Sequence, residues 1–303
     1  MWDSFNKCQI RRFISCCKKI LIIFFFICFD TLSHGFGWYS HEVINYNAVF
    51  TFSEGDLFAF FKKHIKYFSK HAADPDKKKY KDREEGFKHF LNIDAYEDSL
   101  LRNGWVTYEN MIEKYGEKTV RKYGTLPWSI LATQKKLTKA FFKKNTKEIL
   151  RLSIHLAHYI ADAMTPLHTT KNYDGQETDQ RGIHSLWETL LPKLFINTYD
   201  FNVGRAQYVK KIYKVIWNTI LESHNASKFI LKTEKELDNS VKMGKFAYCK
   251  NGNNIYRMHA KKYATKFHEM LNGQVEQQIR KAIKMIGDFI YTSYIDAGSP
   301  KLL

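Results

Sequence analysis

Apolar positions along the 303-residue chain recur mostly at intervals of three and four, and strict alternation is rare. This spacing predicts helices over 40–51, 54–70, 106–122, 129–145, 146–164, 184–193, 203–224, 256–270 and 274–296. Ser53 with Asp56, and Thr107 with Asn110, supply helix starts. The polar stretches "DPDKKKYKDREEG" (74–86) and "TKNYDGQETDQRG" (170–182) read as loops. No hairpin signature, repeat or long linker interrupts the pattern. The expectation is an all-α fold: a single compact multi-helix domain.

The first 35 residues break this pattern. Lys7, Arg11, Arg12, Lys18 and Lys19 precede the apolar run "ILIIFFFICF" (20–29). Such a run suits the core of a signal peptide and is short for a membrane span. Ser33-His34-Gly35 has the small-x-small form of a cleavage site. The expectation is therefore a signal peptide over 1–35, a domain over 36–303, and a secreted or periplasmic protein; an uncleaved N-terminal membrane anchor is the alternative.

Charge and cysteine usage sharpen this picture. The formal net charge is +17, and the leader contributes five basic and two acidic residues, which leaves +14 for the rest. A balance of this size favours polyanionic partners such as nucleic acid or anionic lipid. Four of the five cysteines lie in the leader, and Cys249 alone remains, so no disulfide can form within the exported chain. A bound metal would serve as the missing staple.

The candidate chemistry centres on "HYIADAMTPLHTT" (158–170). His158 and Asp162 stand one helical turn apart and share a face. Pro166 ends the helix, so His168 leaves it at an angle. His184 and Glu188 form a second pair of the same spacing, and two such residues can grip one metal ion. Upstream lie Asp74, His89 and, beyond the leader, His41. Taken singly, each has a simpler reading as an exposed helix pair, an Asp-Pro turn or a core histidine. Their order along the chain is what counts.

That order resembles the zinc-dependent phospholipase C and single-strand nuclease (nuclease P-one type) superfamily over about residues 36–192. The resemblance implies three zinc ions. One would be held by Asp74, His89, His158 and Asp162, and a second by His168, His184 and Glu188. The third would take His41, the bridging Asp162, and the backbone amine and carbonyl of the mature N-terminal residue. Phe36 fits that last position by spacing, with Trp38 as the alternative. Asp74 and Asp162 carry the catalytic expectation, Asp74 by orienting or deprotonating the attacking water. Two positions depart from the family pattern: Lys77 stands where an arginine usually meets phosphate, and Asn92 where an aspartate is usual.

The function these residues imply is phosphodiester hydrolysis by a metal-activated hydroxide. Single-stranded nucleic acid is slightly favoured as substrate, on charge and on the Phe36–His41 spacing. Phospholipase C activity on phospholipid head groups is the alternative, favoured by Glu188 and by the absence of disulfides. A zinc-stabilised helical binding protein is the third reading. The expected partners are a polyanionic or phospholipid substrate and transient contact with a membrane surface; no obligate protein partner is evident.

Overall fold

Helix prevails, as the three- and four-residue spacing requires. The computed structural model describes residues 37–53, 55–96, 106–241, 244–251 and 254–303. The leader and Phe36 lie outside the described residues. In chain order the helices are α1 (Trp38–Ala48), α2 (Gly55–Lys63), α3 (Ile65–Lys70), α4 (Asp74–Lys79), α5 (Arg83–Gly86), α6 (Tyr108–Tyr115), α7 (Glu117–Lys122), α8 (Leu126–Phe142) and α9 (Thr146–Ala163). Then come α10 (Ile183–Ser185), a π turn (Leu186–Leu190), α11 (Leu191–Phe195) and α12 (Ile212–Ser240). An antiparallel hairpin, β1 (Phe246–Asn251) with β2 (Asn254–His259), precedes α13 (Lys261–Met270) and α14 (Gln274–Asp296). The described residues form one unit. Among the described residues no helix is long and apolar enough to cross a membrane.

The centre of the fold is α9. Asn145 caps it by accepting the Glu148 amide at 3.1 Å. Its first turns bury one face, and from Leu156 to Ala163 every residue is buried, as a helix surrounded on all sides must be. It packs against α8, α14, α1 and α12, and also against α4, the turn at Phe87–His89 and the turn at Pro166–Thr169, so polar residues late in α9 meet what these neighbours bring to them.

Three expectations need correction. The polar stretch 74–86 is not all loop: it holds α4 and α5. Pro75 sits in the first turn of α4, where its missing N–H costs nothing. The expected helix over 203–224 begins only at Ile212 and runs on to Ser240. The segment before it is extended because its amides find partners elsewhere: Ala206 donates to the Thr51 carbonyl, Gln207 to Asp288 and Val209 to Thr292. The expected helix over 256–270 begins at Lys261, since 254–259 pairs with 246–251. Asn251-Gly252, between Tyr248-Cys249 and Ile255-Tyr256, is the hairpin signal in the sequence.

Helix α14 approaches the turn after α1 so closely that a Cβ on Gly287 would lie 2.0 Å from Thr51 Oγ1. Gly287→Ala should therefore destabilise the fold by roughly 1–3 kcal/mol through overpacking, despite alanine's better helix propensity. A denaturant titration that showed equal or greater stability would contradict this close approach.

Candidate metal centre

Helix α9 presents His158 and Asp162 to the interior, both fully buried. His158 Nδ1–H donates to the Ala72 carbonyl at 2.9 Å, which turns Nε2 inward as a lone pair. Helix α1 brings His41, whose ring stacks on His158 at 4.1 Å and whose Nε2 lies 3.7 Å from Asp162 Oδ1. Pro166 opens the short turn after α9 and delivers His168. There His168 Nδ1–H donates to the His89 carbonyl at 2.8 Å while the Leu91 amide donates back to the His168 carbonyl at 2.9 Å. The two histidine segments thereby hold each other in place.

Asp76 Oδ1, His89 Nδ1 and His158 Nε2 form one candidate group, and Asp162 Oδ2 lies beside His89 and His158. His89 Nδ1 lies 2.9 Å from Asp162 Oδ2, 3.1 Å from His158 Nε2 and 3.6 Å from Asp76 Oδ1. His158 Nε2 lies 3.3 Å from Asp162 Oδ2 and 3.6 Å from Asp76 Oδ1. A tetrahedral zinc with donors at about 2.0–2.1 Å holds those donors about 3.3 Å apart, so the spacing fits such an ion. A second group joins His168 Nε2, His184 Nε2 and Glu188 Oε2 at 3.2, 3.5 and 2.7 Å. A third grouping brings His41 to His158 and Asp162. Asp162 takes part in the first and third groups; toward the second, its Oδ1 lies 3.5 Å from His168 Nδ1, the nitrogen that donates to the His89 carbonyl.

The unsatisfied atoms also point to cations. Both Asp162 oxygens, Asp76 Oδ2 and Glu188 Oε1 are buried without an aligned hydrogen bond. Three buried carboxylates left so would be costly unless cations joined them. The donors, imidazole nitrogen and carboxylate oxygen, suit zinc.

Of the expected ligands, the structure brings together His41, His89, His158, Asp162, His168, His184 and Glu188. It does not bring in Asp74. That carboxylate is half-exposed and binds Lys77 at 2.8 Å and His71 at 2.6 Å. Asp76 takes its place, fully buried. Because 74–79 is a helix, the two aspartates stand about 200° apart around it and only one can face inward. Lys77 follows Asp74 outward, its Nζ 5.4 Å from the Trp38 ring centre. Lys79, one turn beyond Asp76, reaches in instead, with Nζ 2.9 Å from Asp76 Oδ1. Asn92 is half-buried and bonds through its amide to the Tyr123 carbonyl. Asp94 makes the contacts nearby, accepting from Thr170 Oγ1 at 2.7 Å and from the Lys171 amide. Phe36 lies outside the described residues, but the next residue is tied to the centre: the Gly37 amide donates to the Glu188 carbonyl at 3.1 Å. Trp38 opens α1 with its ring partly exposed. Sequence reasoning missed Asp76 and Lys79, although Pro75 as a helix-start residue could have revealed them.

Burial pushes the His41 imidazole down to about 3, helped by His158, so it stands neutral and ready to ligate. Burial lowers His89 too, against the pull of Asp162. His158 goes the other way: burial opposes its charge, but Asp162 and Asp76 outweigh that and raise it to about 9. Burial opposes the charge on Asp76 and Asp162 as well, but His158 and its neighbours hold both below the usual carboxylate range. No protein-family model matches the chain, and no curated protein matches it.

Zinc requires a neutral His158 Nε2, so the metal-free protein must shed that proton on loading. Zinc uptake should release protons at neutral pH, and apparent affinity should rise with pH until about 9. In the metal-free protein, the His158 charge pair stabilises fully below about 6.5 and fades as pH passes about 9, because its folded value is raised. Calorimetry in buffers of different ionisation enthalpy measures the release; pH-independent binding without proton release would contradict the arrangement.

Proposed function

We propose that the protein is a zinc-dependent phosphodiester hydrolase, binding up to three ions, with single-stranded nucleic acid as its first substrate class. The observation that carries this reading is the buried set of Asp76, His89, His158 and Asp162, with the groups around His41 and His168 beside it. Zinc, when bound, lowers the pKa of a coordinated water to about 7 and polarises phosphate oxygens.

The chain's own residues supply the rest. Asp76 Oδ2 carries no hydrogen bond and serves as the acceptor for the proton of the attacking water. This is the role expected of Asp74, moved by two residues. Lys79, paired with Asp76 and only one-fifth exposed, places a fixed ammonium beside the reacting phosphate. Asp162 holds the groups in register.

Charge and exposed rings favour nucleic acid. The net charge, +17 for the full chain and +14 without the leader, draws a polyanion toward the protein. Trp38, three residues before His41 on α1, and Tyr173, 5.9 Å from the His184 ring, are each nearly half exposed. Rings so placed can stack on unpaired bases. Glu188 as the carboxylate of the second group favours the alternative, phospholipase C activity on lipid head groups. In either case export by the leader puts the enzyme outside the cytoplasm, and contact with a membrane surface belongs to the lipid reading.

Asp76→Asn should lower hydrolysis of single-stranded DNA by about 10²–10⁴-fold and reduce bound zinc. Asp74→Asn should leave both near wild type, since it breaks a surface ion pair. Rates on single-stranded DNA, RNA and phosphatidylcholine vesicles, with and without chelator, check this. The reverse ranking would return the ligand role to Asp74. Zinc bound without hydrolysis of any of the three would leave a binding protein.

A further inference from the structure

The histidines of the centre are not oriented alike. His158 and His168 each have a backbone carbonyl clamping the nitrogen that faces away, Ala72 and His89 respectively. His89 has none, its Nε2 being buried without a hydrogen-bond partner, and neither has His184, whose Nδ1 is buried in the same way. The position of His184 must therefore come from the backbone that delivers it, the irregular segment 170–182.

That segment is anchored from behind. Asp174 Oδ1 accepts the Gly182 amide at 3.0 Å and the His184 amide at 3.4 Å. Gln180 accepts the Ile183 amide at its carbonyl, 3.1 Å away, and its side chain donates to Glu234 Oε2 at 2.6 Å and to the Leu231 carbonyl at 2.7 Å. Glu234 is fully buried on α12. Its other oxygen takes Tyr263 from α13 and Lys245 from the start of the hairpin, both at 2.7 Å. His259 of β2 lies behind Gly182, where an added Cβ would come within 3.2 Å of its ring.

We propose that Glu234, acting through Gln180, is a positioning residue for His184, and that it sets the affinity of the zinc held by His168, His184 and Glu188. A buried carboxylate with three separate elements converging on it is a rigid reference point. The only side chain of the delivering segment that reaches it is Gln180. The hairpin and α13 thereby contribute to a site that they do not touch. This inference rests on the zinc reading above.

The test uses the full chain loaded with zinc and titrated with a competing chelator, in wild type, Glu234→Gln, Gln180→Ala, His184→Ala and the double variant His184→Ala/Glu234→Gln. Loss of an outer-shell partner typically weakens a metal site about 10–100-fold. Glu234→Gln and Gln180→Ala should each weaken one ion by about that factor and spare the rest, and Glu234→Gln should add nothing once His184 is gone. Gln180→Ala keeps Glu234 paired with Lys245 and Tyr263, so it covers the case in which Glu234→Gln fails to fold. Unchanged zinc affinity in both single variants, uniform weakening of every ion, or additive loss in the double variant would overturn the proposal. Wild-type protein that took up no zinc would overturn the zinc reading itself, which is a different result.

Discussion

A carboxylate buried where no water reaches it must be surrounded by positive partners, and Asp162 is the group that imposes this on the fold. It sits in the turn of α9 that is covered on every side. His41, His89, His158 and His168 approach it from α1, from the segment after α5, from α9 itself and from the turn after Pro166. Those elements share little else in sequence. Metal-free, the cluster keeps part of its balance by holding a proton on His158 between Asp162 and Asp76. A metal ion bound there would replace that proton by a stronger charge, which would make folding of the core and preparation of the site one electrostatic problem.

The orientation of the ligands follows from the backbone. Where a carbonyl clamps the remote nitrogen, as Ala72 does for His158, a neutral ring has one tautomer and one lone pair to offer. His184 lacks that clamp, which transfers the task to Asp174, Gln180 and, behind them, Glu234. One half of the centre is thus held by helix α9 and its immediate neighbours. The other half depends on residues up to eighty positions later in the chain. The long α12 explains why its buried face includes Glu234 among Ile230, Thr233 and Leu237: the carboxylate is not a flaw in the stripe but the point where loop, hairpin and α13 meet.

What could be read from the sequence follows the same division. His158 with Asp162, and His184 with Glu188, were legible because a four-residue interval means one face of a helix whatever surrounds it. The helices 146–163 and 274–296 were legible because their apolar stripes are long and unbroken. Asp74 was misplaced because the choice between two aspartates depends on the phase of α4, a six-residue helix with no apolar stripe to reveal it. The C-terminal part of α12 was hidden by Ser227, Thr233 and Glu234, polar residues on its buried face. The hairpin was hidden by length, its strands being too short for alternation to stand out against a helical background.

The charge distribution separates two tasks that net charge alone confuses. Over the whole chain lysine and arginine outnumber aspartate and glutamate by 48 to 31, and the field of the exposed charges acts over a Debye length of about 8–10 Å. Such a field concentrates any polyanion, lipid or nucleic acid, without choosing between them. Inside, Asp76, Asp162 and Glu188 make a buried anionic cluster that would repel a phosphate until cations occupy it. Lys79 joins the two regions, its ammonium on Asp76 and its side chain one-fifth exposed. The exterior therefore governs encounter and the interior governs whether encounter leads to chemistry. Under the proposed function, choice of substrate would fall to the few side chains at the boundary, Trp38, Lys77 and Tyr173, which are neither core nor bulk surface.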